Sequence, residues 1–89
     1  MIKTRIIYWV NFSYRGWYGK IEKSWSGKFN VYITSAPQPV INNIRVIMVD
    51  SHSCEYAFQV KTHWYANEDW NKAEQMAKQY IDAHFGDAH

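Results

Sequence analysis

The side chains able to hold a metal or attack an electrophile are few: one cysteine, Cys54, and the histidines His52, His63, His84 and His89. The tightest grouping is His52-Ser53-Cys54-Glu55. An imidazole beside a thiolate is what both zinc binding and Cys–His nucleophilic catalysis require. The grouping goes no further. Zinc sites add a second close couple of ligands at a characteristic spacing, and none occurs. A deaminase-type centre needs a distant Pro-Cys-x-x-Cys half, which a single cysteine does not supply. Residues of opposite parity on one strand lie on opposite faces, which separates Cys54 from His63. Asp50 and Glu55 flank His52, an ordinary arrangement for a turn. No G-x-S-x-G elbow, phosphate-binding glycine loop or G-x-G-x-x-G segment is present. The chemistry-bearing residues therefore predict no catalytic centre, no metal and no cofactor, with Cys54 a small buried thiol and the histidines on the surface.

The other unusual feature is aromatic. Of 89 residues, 18% are Phe, Trp or Tyr, with five Trp and seven Tyr. Such rings fill a thin core or build an interface. The length is that of one domain spanning 1–89. A net charge of +2 excludes an acidic nucleic-acid mimic and falls short of a strongly basic nucleic-acid module. The abundance of aromatic and β-branched residues excludes intrinsic disorder. One cysteine leaves no internal disulfide and fits a reducing compartment. No apolar run approaches the ~18 residues of a membrane span. The opening MIKTRIIYWV lacks the pattern of a secretory leader, so a cytoplasmic protein without membrane association is expected.

The elements that must position these rings follow from periodicity. Residues before Ala66 read as strand and turn, those after it as helix. Asn67 is a good N-cap, and Glu68 and Asp69 suit the positive end of the helix dipole. Trp70, Ala73, Ala77, Tyr80, Ile81 and His84 recur at helical spacing, flanked by Met76 and Phe85. Glu74 and Lys78 make an i,i+4 pair, and Gly86 sits where a C-terminal cap belongs. The helix is predicted over about residues 68–85.

Period-two alternation predicts the strands, all within residues 2–65. Cys54, Tyr56, Phe58, Val60, Thr62 and Trp64 share one face of the last. Val40 to Asp50 is apolar at both parities, which predicts a central strand or one covered on both sides, joined to the last by a turn at Asp50–Ser53. Ser35-Ala36-Pro37-Gln38-Pro39 is a rigid loop. Ile6, Tyr8, Val10 and Phe12 form an apolar face on even residues, and Trp17, Gly19 and Ile21 on odd ones. A two-residue turn at Arg15-Gly16 makes that switch, pairing Tyr14 with Trp17, Phe12 with Gly19 and Val10 with Ile21. Phe12 then covers a bare glycine. A three-residue loop Trp25-Ser26-Gly27, with Gly27 left-handed, keeps Ile21 opposite Val31. The predicted fold is α+β: an antiparallel meander of about five strands with the C-terminal helix packed on one face, in two layers.

The other face carries Arg5, Ile7, Trp9 and Asn11, then Tyr18, Lys20, Glu22 and Ser24, then Asn30, Tyr32 and Thr34, with Lys61, His63 and Tyr65 from the last strand. Trp, Tyr and Arg are the residues enriched at interface hot spots. The expectation is a small non-enzymatic binding protein that contacts a protein partner through Arg5, Trp9, Arg15, Tyr18, Lys20 and Tyr32. Arg15 is expected to point into solvent from its turn. A homodimer through the same face is a further expectation. The alternative is a single-stranded nucleic-acid module, with bases stacked on the rings and phosphates on the basic side chains. Small size, aromatic richness and missing catalytic motifs are also typical of accessory proteins of phages and mobile elements that inhibit a host or defence complex.

Overall fold

The computed structural model describes residues 9–24, 27–62 and 69–88. In chain order the elements are β1 (Trp9–Tyr14), β2 (Trp17–Lys23), β3 (Lys28–Thr34), β4 (Val40–Ile41), β5 (Ile44–Arg45), β6 (Tyr56–Lys61) and α1 (Asp69–His84). Strands β1, β2, β3 and β6 form an antiparallel sheet in that order, and β4 and β5 form a separate hairpin. The two-layer α+β class is as the alternation requires.

The β1–β2 register is set by its turn. Arg15 and Gly16 both have positive φ, 53° and 84°, the mirror-image turn whose twist matches the flanking strands. Tyr14 then pairs with Trp17, Phe12 with Gly19 and Val10 with Ile21. The Phe12 ring lies so close over Gly19 that a Cβ there would sit 2.3 Å from Cε1 and Cζ. Gly27 has a φ of 74°, Ser24 N–H donates to the Lys28 carbonyl at 2.8 Å, and Ile21 faces Val31.

The core lies between the sheet and α1. Ile21, Phe29, Val31 and Ile33 are fully buried from the sheet side, and Ala73, Ala77 and Ile81 from the helix. Two alanines at i and i+4 let the helix backbone approach the strands closely, and Ile81 fills the next turn. Trp70 meets Phe29 edge-on at 5.2 Å, and Tyr80 stacks on Phe58 at 4.1 Å. Glu74 and Lys78 pair at 3.0 Å on the outside. His84 is exposed and lies against the Tyr80 ring, because Phe85 rather than His84 carries the apolar stripe past Ile81. Gly86, at φ 68°, ends the helix, and the Phe85 and Gly86 N–H groups both donate to the Ile81 carbonyl.

Segment 40–50 departs from the expectation of a sheet strand. It holds only the two-residue strands β4 and β5, followed by irregular backbone. Asn42 and Asn43, at φ 52° and 65°, reverse the chain before a strand of useful length forms. Apolar residues at both parities there reflect a small exposed hairpin with one buried anchor, Val49, and not a strand covered on both sides. The predicted face residues Arg5, Ile6, Ile7, Tyr8, His63, Trp64 and Tyr65, the loop residues Trp25 and Ser26, the helix cap Asn67 with Glu68, and His89 lie outside the described residues.

Candidate surface for partner binding

Strand alternation turns Trp9, Tyr18, Lys20 and Tyr32 to the sheet face opposite the helix. Trp9 pairs with Glu22, and Lys20 lies between Asn11 and Tyr32. The diagonal across β1 and β2 brings the Lys20 Nζ to 4.7 Å from the Trp9 ring centroid, a cation–π contact. The same ammonium is 3.9 Å from a Glu22 carboxylate oxygen, and the Lys20 side chain is only 18% exposed. Lys20 is thus a covered cation with two neighbours. Trp9 remains half exposed. Burial and then the Glu22 carboxylate push the Tyr32 hydroxyl above its ordinary pKa, so Tyr32 offers a neutral hydroxyl.

The remaining part of this face is partly roofed by the segment after β3. The Arg45 guanidinium stands 5.3 Å over the Tyr18 ring and donates to the Gln38 carbonyl at 3.1 Å. Thr34 is buried, and Glu55 accepts from the Ser35 N–H at 2.9 Å and from the Ser35 hydroxyl. These contacts fix the base of the β4–β5 hairpin over the sheet. Its tip is open: Val40, Ile41 and Ile44 are 57%, 54% and 67% exposed, and Met48 next to it 64%. A cavity of about 260 Å3, bounded by Pro37, Pro39, Met48 and Val49 among others, opens at its base. These residues were missed by parity alone. The signal that marks them is Asn42-Asn43 between Val40-Ile41 and Ile44-Arg45, a hairpin turn and not a strand interior.

Arg15 is exposed at its turn, but its guanidinium is engaged by two carboxylates. Its Nη1 is 2.8 Å from Asp82 and its Nε 2.8 Å from Asp87, so two hydrogen-bonded carboxylates raise its pKa further. Asp82 accepts from Arg15 and from the Tyr14 hydroxyl at 2.9 Å, and these bonds hold its carboxyl below the usual range. The Ala88 N–H donates to the Arg15 carbonyl and the Trp17 indole N–H to the Gly86 carbonyl, each at 3.0 Å. The β1–β2 turn and the end of α1 therefore form one clasp. Its acids come from residues far down the chain, which the turn alone does not reveal.

The His52–Cys54 grouping sits in the turn before β6. Backbone N–H groups of His52 and Ser53 and the Ser53 hydroxyl all donate to the Asp50 carboxylate, which lowers its pKa. Asp50 thereby shapes the turn. Among the described residues the His52 ring has Ser51 as its hydrogen-bond partner, at 3.4 Å. Among the described residues no group of three His, Cys, Asp or Glu side chains converges. No described helix is long and apolar enough to cross a membrane.

Fold and surface together define a small α+β domain that presents an exposed apolar hairpin beside an aromatic sheet face. No protein-family model, curated protein or solved structure matched the chain.

Proposed function

We propose that the chain is a non-catalytic protein-binding domain whose partner docks on the hairpin side of the sheet. The observation that carries this reading is the exposure of Val40, Ile41 and Ile44 on a short hairpin, with Met48 exposed next to it. Large apolar groups presented in this way mark interaction sites. Trp9 and Tyr18 on the same sheet face extend the surface with rings of the type that dominate interface energetics. Sequestering or inhibiting a host or defence complex, as small phage and mobile-element proteins do, is the biological role that fits the size and composition. A second copy of the chain is the competing occupant.

Capture of partners from a lysate of the native host, with and without nuclease, tests the reading. Ile41→Ser with Ile44→Ser is expected to abolish capture while leaving the thermal midpoint nearly unchanged, since both residues are exposed. Retained capture would sink the proposal for the hairpin. Trp9→Ser with Tyr18→Ser then asks whether the sheet face acts alone. A dimer by light scattering that the hairpin change dissolves would assign the surface to self-association. Loss of capture on nuclease treatment, with a steep salt dependence, would point instead to single-stranded nucleic acid. Lys20 speaks less for that alternative, since Trp9 and Glu22 already occupy it.

A further inference from the structure

Among the described residues strand β6 is an edge of the main sheet. Its register with β3 pairs Tyr56, Phe58 and Val60 with Ile33, Val31 and Phe29, and the Thr62 N–H donates to the Gly27 carbonyl at 2.9 Å. Antiparallel pairs alternate between bonded and non-bonded, so the even-numbered residues exchange hydrogen bonds with β3. Ala57, Gln59 and Lys61 then turn their backbone N–H and C=O groups away from the sheet. All three residues are exposed. A row of unpaired backbone groups is a template for another strand.

The flank of this edge is shaped. On the helix side, Phe58 and Tyr80 stack at 4.1 Å and 9°, and Tyr56 lies 4.6 Å from Phe85 and is 47% exposed. At the other end of β6 a cavity of about 320 Å3 is lined by Lys61, Thr62, Lys72 and Met76. Lys28 stands directly opposite Lys61 in the register. Among the described residues Lys28, Lys61 and Lys72 form no ion pair. Like charges held opposite each other are unfavourable unless something negative joins them. The Thr62 hydroxyl oxygen is buried beside this cavity with no hydrogen-bond partner among the described residues.

We infer that the β6 edge takes an extended segment of a partner protein as an additional antiparallel strand, with an acidic residue at its N-terminal end in the Lys61–Thr62–Lys72 cavity and apolar residues along the Phe58–Tyr80–Tyr56 seam. Strand addition supplies affinity through the backbone, and alternate side chains supply selectivity. The acidic side chain lies opposite Thr62, on the helix side, and meets Lys72 and the unpartnered hydroxyl. Residues opposite Val60, Phe58 and Tyr56 face the helix side. A nucleic acid fits less well, because Phe58 and Tyr80 already cover each other's faces, which base stacking needs free. The hairpin surface lies on the opposite side of the sheet, so this inference does not rest on it.

The test uses a fluorescein-labelled peptide, Glu-Ser-Val-Ser-Leu-Ser-Phe-amide, titrated with the full chain by fluorescence polarisation. Saturable binding below about 1 mM is expected. N-methylation at the peptide's fourth position, opposite Gln59, removes an N–H that bonds the edge and should weaken binding about tenfold. N-methylation at the fifth position, where the N–H points outward, should change it less than about twofold. Replacing the peptide's Glu by Lys should abolish binding to the parent, and Lys61→Glu with Lys72→Glu should restore it. Ile41→Ser with Ile44→Ser should leave all of this unchanged. No saturable binding, equal effects of the two N-methyl groups, failure of the charge swap, or tighter binding of a labelled oligouridylate would each overturn the inference.

Discussion

Gly19→Ala probes register and packing at once. A Cβ on Gly19 would meet Phe12 Cε1 and Cζ at 2.3 Å. Carbon atoms in contact rest about 3.5–4.0 Å apart, so the ring would have to withdraw by roughly 1.5 Å. It has little room, because Phe12 is 6% exposed and belongs to the same buried cluster as Trp17 and Ile21. Overpacking of this kind costs ~1–3 kcal/mol. Against it stands the smaller entropy of the unfolded chain with alanine in place of glycine, ~0.4–1 kcal/mol. The central values, ~2 against ~0.7 kcal/mol, leave a net loss of about 1.3 kcal/mol, which for a domain of this size lowers the thermal midpoint by roughly 5–10 °C. Thermal and urea unfolding followed by circular dichroism measure it. Combining the change with Phe12→Leu, which shortens the side chain over the glycine, should recover about 0.5–2 kcal/mol relative to the sum of the single variants. A Gly19→Ala midpoint equal to that of the parent, or strict additivity in the double variant, would refute the placement of the ring.

Three further outcomes follow from the same geometry. Ile81→Ala removes a fully buried side chain at the centre of the helix–sheet contact and should cost about 2–5 kcal/mol in urea unfolding. The Arg15 and Tyr14 bonds lower the pKa of Asp82, so its contribution to stability is present above the unfolded value and is lost as pH falls through the folded one. Parent stability should therefore decline below about pH 4, and Asp82→Asn should shallow that decline without removing it, since Asp50 is lowered too. Asn43→Val puts a β-branched residue at positive φ, which should unravel the hairpin tip and abolish partner capture with little change in the global midpoint.

Much of the sheet was legible because period-two parity and turn length are strict local codes. Arg15-Gly16 fixed which face each ring of β1 and β2 occupies, and Gly27 kept Ile21 opposite Val31. The helix was legible because Ala73, Ala77 and Ile81 sit one turn apart. Segment 40–50 was not. An apolar run at both parities fits a strand buried on both sides, and it fits equally a short hairpin whose apolar groups stay exposed. Asn42-Asn43 marks the turn locally, but that the apolar groups around it stay exposed is decided by tertiary placement. The partners of Arg15 were illegible for another reason: Asp82 and Asp87 reach it 67 and 72 residues away, beyond any local pattern. Of the expected face residues, Trp9 and Lys20 meet as neighbours and Tyr18 meets Arg45, a cation from the segment that parity had assigned to a sheet strand.

The clasp between the β1–β2 turn and the end of the helix has a kinetic consequence. The turn, its hairpin and the β2–β3 pairing close over short stretches of chain, whereas Arg15–Asp82, Arg15–Asp87 and Trp17–Gly86 close over 67, 72 and 69 residues. Long closures are slow, so these bonds are expected to form after the rate-limiting step of folding. Contacts absent from the transition state act on the unfolding rate alone. Arg15→Ala should then steepen the decay of the native state in stopped-flow unfolding and leave the refolding limb where it was. The clasp governs how long the folded molecule lasts, and the hairpins govern how quickly it arises.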